Sequence, residues 1–231
     1  MVRVLGEDGP AVLLLPGGGQ RVADAMPDLV DGLLDGEPPC RVVLWDRPAT
    51  GRVLPDAPGA IHAMLAAEGL GPVVLVGHSL GGAIAALIAC VHPDDVAGLV
   101  LLDPTPVNDI GECRRIERGA RLVAVAGAIP GVDRLVRTSL GDDPGGLWRA
   151  VRGLGVVSRR FDPSRLPRVP AAVVTADRDA GSPMARSHAR LAFALGAPLQ
   201  TWPGAEHGVH LTHADEVLAV VRDVVRRVRA G

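Results

Sequence analysis

The 231-residue chain contains no lysine and no tyrosine. Without lysine there is no Schiff-base nucleophile and no Walker-type phosphate lysine, and without either residue there is no Tyr–Lys reductase pair. Every one of the 24 cationic side chains is therefore arginine. Cysteine is scarce and odd in number: Cys40, Cys90 and Cys113 are far apart and form no C-x-x-C pair, which speaks against a disulfide framework or a zinc knuckle and leaves buried or free thiols as the expectation. The net charge is −2 and neither end carries a basic tail, so nothing in the charge balance attracts nucleic acid. Long apolar runs are missing too. Near the start only Val12-Leu13-Leu14-Leu15 qualifies, too short for a signal sequence or a membrane span, and the expectation is a cytoplasmic protein that does not engage a membrane.

What remains is 48% hydrophobic residues, enough to fill the core of one large domain. Ala11 to Leu15, Arg41 to Trp45, Val73 to Val76, Val96 to Leu102 and Ala171 to Ala176 read as buried strands, with residues 2 to 5 and Pro198 to Trp202 as short outer ones. Helical spacing of apolar residues lies between them: Val22, Met26, Leu29, Val30, Leu33 and Leu34, then 58 to 69, 83 to 89, and Pro183 to Leu195. A last amphipathic helix ends near Val228, with Thr212-His213-Ala214-Asp215 in capping-box form ahead of it. Strands alternating with helices predict an α/β fold with a mostly parallel, doubly wound sheet, whose sites gather at the carboxyl ends of strands.

Two glycine-rich turns sit at such ends. Val73 to Val76 runs into Gly77-His78-Ser79-Leu80-Gly81-Gly82 and on into an Ala-rich helix, a strand, sharp turn and helix that lift a serine hydroxyl into the open. With 29 glycines and six serines in the chain, composition alone yields roughly 0.1 Gly-x-Ser-x-Gly motifs, so Ser79 is the candidate nucleophile. The other turn, Pro16-Gly17-Gly18-Gly19, lacks the third glycine of a dinucleotide fingerprint and has no G-K-[ST] after it, and its better use is donation of backbone N–H groups to a substrate oxygen. Asp46 to Gly51 reads as the loop leaving the Arg41 strand.

Acyl transfer needs a base for the serine and an acid to orient that base. His207 lies in a loop after the last strand, and Asp179 in the loop after Ala176. Asp103 and Asp177 also follow strands and stay open as the orienting acid. The order Ser79, Asp179, His207, with a strand-turn-helix nucleophile, resembles the α/β-hydrolase fold family over nearly the whole chain. By that resemblance Leu13 to Gly19 is similar to the family's oxyanion loop, Gly77 to Gly82 to its nucleophile elbow, Ala176 to Asp179 to its acid turn and Gly204 to His207 to its histidine loop. It implies a serine hydrolase whose oxyanion donors are the backbone N–H groups of Gly18 and Leu80, acting on an ester-like small molecule (carboxylic ester, lactone or thioester) with no cofactor. Pro16, Ala176 and Glu206 depart from residues usual in the family, and none of the three is a reacting group. A serine at position 79, not an aspartate, argues against dehalogenase and epoxide hydrolase chemistry. Carbon–carbon bond hydrolysis on the same residues and a non-catalytic ligand-binding homologue are the alternatives.

Residues 106–166 break the strand–helix rhythm and read as a helical cap inserted into a core made of 1–105 and 167–231, with patches at Arg114 to Val125, Asp133 to Leu140 and Leu147 to Val157. Leu147 and Trp148 are its candidate substrate-binding wall, against the plainer reading that Trp148 packs the cap onto the sheet. The insertion holds eleven arginines against seven acids, which would favour an anionic substrate unless their stems merely cover apolar helix faces. His207, His210 and His213 are spaced as zinc ligands would be, but Gly208 and the cap at Thr212 oppose one continuous helix through them, and no metal is expected. His78 reads as a packing and hydrogen-bonding residue, and His62, His92 and His188 as surface or helix-end residues.

Overall fold

A computed structural model of the chain describes residues 2–18, 21–45, 54–128 and 144–231. Seven strands, β1 (Val2–Leu5), β2 (Ala11–Leu15), β3 (Arg41–Trp45), β4 (Val73–His78), β5 (Val96–Leu102), β6 (Ala171–Val174) and β7 (Leu199–Gln200), form one sheet in the order β1-β3-β2-β4-β5-β6-β7. Only β1 is antiparallel to its neighbour. The central strands are buried along their length, and their two side-chain rows feed two separate cores. Leu13, Leu15, Val43, Leu75, Leu99 and Leu101 face one side, Val12, Leu14, Val42, Val76, Val100 and Leu102 the other, as the two-residue period of a strand requires.

Helices cover both faces. On the second core lie α1 (Val22–Ala25), α2 (Pro27–Leu34) and α10 (Ala214–Ala230). On the first lie α3 (Ala57–Ala67), α4 (Leu80–Val91) and α8 (Pro183–Leu195), together with α5 (Ile110–Ala126), α6 (Pro144–Val151) and α7 (Leu154–Arg160) from the stretch between β5 and β6. A one-turn helix, α9 (Val209–Thr212), precedes α10. In α4 every residue from Leu80 to Cys90 is buried. At about 1.5–3 kcal/mol for each fully buried large aliphatic side chain, Leu80, Ile84, Leu87 and Ile88 alone contribute roughly 6–12 kcal/mol as an upper figure. No helix of the described residues is long and apolar enough to cross a membrane.

Several local expectations are corrected. The apolar stripe from Val22 to Leu34 is two helices, because Pro27 holds Met26 out of the helical region at φ −137°, ψ 44°. Leu147 to Val157 is likewise broken at Gly153, which takes φ 91°. The capping box at Thr212 is not used: Thr212 closes α9, and His213 stands at the N-cap of α10 without a side-chain capping bond. The Asp46 to Gly51 loop, Gly19 and the Asp133 to Leu140 patch lie outside the described residues.

Candidate active site

Ser79 joins the end of β4 to the start of α4 with φ 53° and ψ −118°, a conformation that disfavours any side chain. Its flanking glycines are required by contact. A Cβ on Gly81 would run into the Leu15 carbonyl at the end of β2, and one on Gly77 would run into the backbone of Gly81. The backbone of the turn is pinned from the next strand over, by Ser79 N–H to the Leu102 carbonyl (3.0 Å) and by Thr105 N–H to the Ser79 carbonyl (2.9 Å).

The structure brings three side chains into a line. Ser79 Oγ lies 3.0 Å from His207 Nε2, and His207 Nδ1 lies 2.6 Å from Asp103 Oδ2. A carboxylate can only accept, so the proton of the neutral imidazole sits on Nδ1 and Nε2 is left to accept from the serine hydroxyl. The His207 side chain is 60% exposed, open to an incoming molecule, whereas that of Asp103 is 2% exposed.

The expected partner of His207 was Asp179, and this is corrected. Asp179 is exposed and its Oδ1 accepts from Gly181 N–H at 2.6 Å, closing its own turn. Asp177 is exposed as well. Its Oδ2 accepts from Gly204 N–H (2.9 Å) while its own N–H reaches the Ala205 carbonyl (2.7 Å), so it ties the loop after β6 to the loop that carries His207. Asp103 wins the imidazole because it ends β5, the strand beside β4, and turns back at φ 40° toward Ser79.

Asp103 is well supplied with donors. Oδ1 accepts from Ala176 N–H (2.9 Å) and Thr175 Oγ1 (3.3 Å), and Oδ2 from Arg178 Nη2 (2.6 Å) as well as from His207. Burial alone would raise its pKa, but the bonds from His207 and the Ala176 amide, helped by His188 and Arg178, overcome that and lower it to about 2. Behind it, fully buried His188 bridges Thr175 Oγ1 (2.9 Å) and the Pro104 carbonyl (2.7 Å), locking the strand ends on either side of the carboxylate. Its pKa is lowered chiefly by burial. Its burial corrects the expectation of a surface or helix-end residue, and the signal is its register with Leu191, Ala192 and Leu195 on the apolar stripe of α8.

His78 is not a base. Burial first, then the neighbouring His210, pushes its pKa down to about 4, so it is neutral, and its Nε2–H donates to the His207 carbonyl at 2.9 Å. It packs between His207 and His210 with ring centroids 4.9 and 4.4 Å away. The three histidines considered for zinc go separate ways: His210 Nε2 meets the Ala25 carbonyl (3.0 Å), His213 stacks on Trp202 at 5.7 Å, and His207 serves Asp103 and Ser79.

Above the serine, Gly18 and Leu80 approach one another. A Cβ built on Gly18 would lie 3.8 Å from Leu80 Cδ2 and 3.7 and 3.6 Å from Leu147 Cδ1 and Ala150 Cβ of α6. As the first residue of α4, Leu80 has an N–H with no carbonyl one turn back in the helix. Leu147 is exposed beside this loop, whereas Trp148 is half-buried against the hydrophobic core.

A parallel sheet with a strained serine at the β4–α4 turn and a histidine returning from a distant loop is the geometry of an α/β hydrolase. The model of the alpha/beta hydrolase family matches residues 12–220, and the chain belongs to that family. Over 57 residues it is 51% identical to lipase LipV of Mycobacterium tuberculosis, a stretch that covers 25% of this chain and 22% of that protein. Among solved structures it is similar to an esterase from Exiguobacterium antarcticum (19% identity, 97% of this chain and 94% of that one, TM-score 0.71). It is equally similar to an enol-lactonase from Burkholderia xenovorans (19% identity, 98% and 96%, TM-score 0.71).

Proposed function

We propose that the chain is a serine hydrolase that cleaves an ester-like bond of a small molecule through an acyl-enzyme on Ser79. One observation carries the reading: the unbroken path from Ser79 Oγ through both nitrogens of His207 to the buried carboxylate of Asp103, 3.0 and 2.6 Å long. In this mechanism His207 Nε2 takes the hydroxyl proton as Oγ attacks the carbonyl carbon. The oxyanion that forms is held by the N–H groups of Gly18 and Leu80. His207 then passes the proton to the leaving group, and a water, deprotonated by the same nitrogen, releases the acid and restores the serine. Asp103 keeps the ring in the Nδ1–H tautomer and stabilises the imidazolium between these steps. The helices of residues 106–166 act as a cap whose Leu147 supplies an apolar wall beside the Gly18 loop.

Family membership and the partial likeness to a lipase support the hydrolase class, and the absence of a carboxylate at position 79 supports ester-type over carbon–halogen chemistry. The test is labelling of the folded chain with a fluorophosphonate probe, followed by hydrolysis of a panel of short and long acyl esters. Wild type is expected to be labelled and to turn over at least part of the panel, and Ser79→Ala to do neither. A folded wild type that resists the probe would instead be a ligand-binding member of the family.

A further inference from the structure

Two consecutive residues of the nucleophile turn hold the same histidine. Ser79 Oγ meets the His207 ring at Nε2 (3.0 Å), and the His78 ring donates its Nε2–H to the His207 main-chain carbonyl (2.9 Å), 129 positions along the chain. The sheet brings them together. Side chains alternate along β4, so His78 follows Val74 and Val76 onto the face of the second core, which also takes Ala205 and Val209 from either side of His207. His78 is 6% exposed and wedged between the rings of His207 and His210, and His210 is itself bonded to the Ala25 carbonyl at the end of α1 (3.0 Å).

Packing does not call for a histidine here. Among the described contacts His78 Nδ1 has no partner, and a buried polar atom left unpaired is a cost that an apolar side chain of the same size avoids. What the imidazole adds is the Nε2–H, which must be present because a carbonyl can only accept. We propose that His78 is a positioning residue for the base: it ties the main chain of His207 to the turn that carries Ser79, so that Nε2 and Oγ keep their distance.

The base needs a second point of attachment. Asp103 grips the ring at Nδ1, and a ring gripped at one atom still swings Nε2 toward or away from Ser79 when the main chain behind it shifts. The loop gives limited help. His207 and Gly204 are exposed, Gly204 stands at φ 76°, and the bonds to Asp177 reach Gly204 and Ala205 but stop short of His207. His78 supplies the attachment from the rigid side, since it ends β4 in register with Leu102 of β5. Being buried, it reaches no substrate, so its loss acts on turnover and leaves binding alone.

The test uses the full-length chain and two variants of nearly equal side-chain length: His78→Gln keeps an N–H donor, and His78→Met fills the space without one. Its rate arm rests on the hydrolase reading. On the ester that wild type prefers, His78→Met is expected to lose roughly 10–100-fold in kcat with KM within about twofold, the scale of a base misplaced by up to about 1 Å. His78→Gln should stay within about fivefold of wild type, with a Tm within about 4 °C of that of His78→Met. The second arm needs no turnover: the His207 Nδ1 proton held by Asp103 gives a downfield proton NMR signal, assigned by its loss in His207→Gln, which should persist in His78→Gln and weaken or vanish in His78→Met. Equal kcat losses in the two variants, or a His78→Met variant with wild-type kcat and an intact signal, would overturn the proposal. The expected signals in a wild type that neither turns over esters nor takes the fluorophosphonate would sink the hydrolase reading and leave His78 as the holder of His207.

Discussion

Replacing Asp103 by asparagine tests the assignment that separates this site from its sequence reading. The amide can keep its oxygen toward Ala176 N–H and Thr175, which places its NH2 group where Oδ2 now faces both Arg178 and His207 Nδ1. A donor there forces the imidazole into the Nε2–H tautomer, and Nε2 then has no lone pair for the Ser79 proton. The expected loss in kcat/KM is about 10³–10⁴-fold, or about 4–5.5 kcal/mol of transition-state stabilisation. Stability suffers less. Arg178 loses its anion but its side chain is 23% exposed and can turn to water, so about 1–2 kcal/mol is expected, a fall of roughly 2–8 °C in Tm that leaves the variant folded at 25 °C. Asp179→Asn and Asp177→Asn, exposed and bonded only to backbone among the described contacts, should stay within about threefold of wild type by the ordinary scale of surface changes. The assay is steady-state hydrolysis of whichever ester the wild type prefers, with melting curves alongside. If Asp179→Asn is crippled while Asp103→Asn works within tenfold, the buried carboxylate is structural and the reasoning fails.

Acid should destabilise the molecule in two stages, because folded His78 titrates at about 4 against 6.5 and folded Asp103 at about 2 against 3.8. Both folded values are depressed, so the unfolded chain binds the proton first as pH falls: about 3 kcal/mol is lost between pH 6.5 and 4 and about 2 kcal/mol more between pH 4 and 2. Urea unfolding across this range checks it, and a flat profile above pH 4 contradicts the burial of His78 as neutral. Ser79→Gly should abolish hydrolysis yet raise Tm by roughly 2–12 °C, because glycine relieves a backbone strain of about 1–3 kcal/mol at φ 53°; an unchanged or lower Tm would show that the turn is not strained. Leu147→Ala should alter kcat/KM unequally along the acyl-chain series at constant Tm, whereas Trp148→Ala, packed on the core, should lower Tm by a few degrees and change all esters alike. Reversal of those two patterns would put the substrate wall at Trp148.

The strands and the elbow were legible because both depend on local chemistry. Apolar runs of four to seven residues rich in valine and leucine and bounded by glycine or proline turns are the pattern of buried parallel strands, and glycine at 77 and 81 is demanded by contacts within a few residues and with β2. The split of α1 from α2 was missed, although Pro27 carried the signal for it. The orienting acid was not legible, since Asp103, Asp177 and Asp179 all follow strands and differ only in where a carboxylate turns once the chain is folded. The packing of His78, His207 and His210 as mutually tilted rings with different hydrogen-bond partners also lies outside any spacing rule, because it depends on Ala25 and on the loop after β7.

What decides between the three carboxylates is the distance over which strain must be held. Ser79 and Asp103 are the two non-glycine residues at positive φ among those described, at 53° and 40°, and they sit at the ends of adjacent strands. Their backbones are cross-bonded, Ser79 N–H to Leu102 and Thr105 N–H to Ser79, so each strained turn is braced by the other. His188 closes the bracket from behind, holding Thr175 against Asp103 and reaching the Pro104 carbonyl. A carboxylate on this frame keeps its angle to His207 as firmly as the sheet keeps its register. Asp179 follows β6, one strand farther from β4, on an exposed turn whose carboxylate is already engaged with Gly181. Moving it to His207 would cost that bond and the ordering of an exposed loop, while Asp103 would be left buried with one donor fewer.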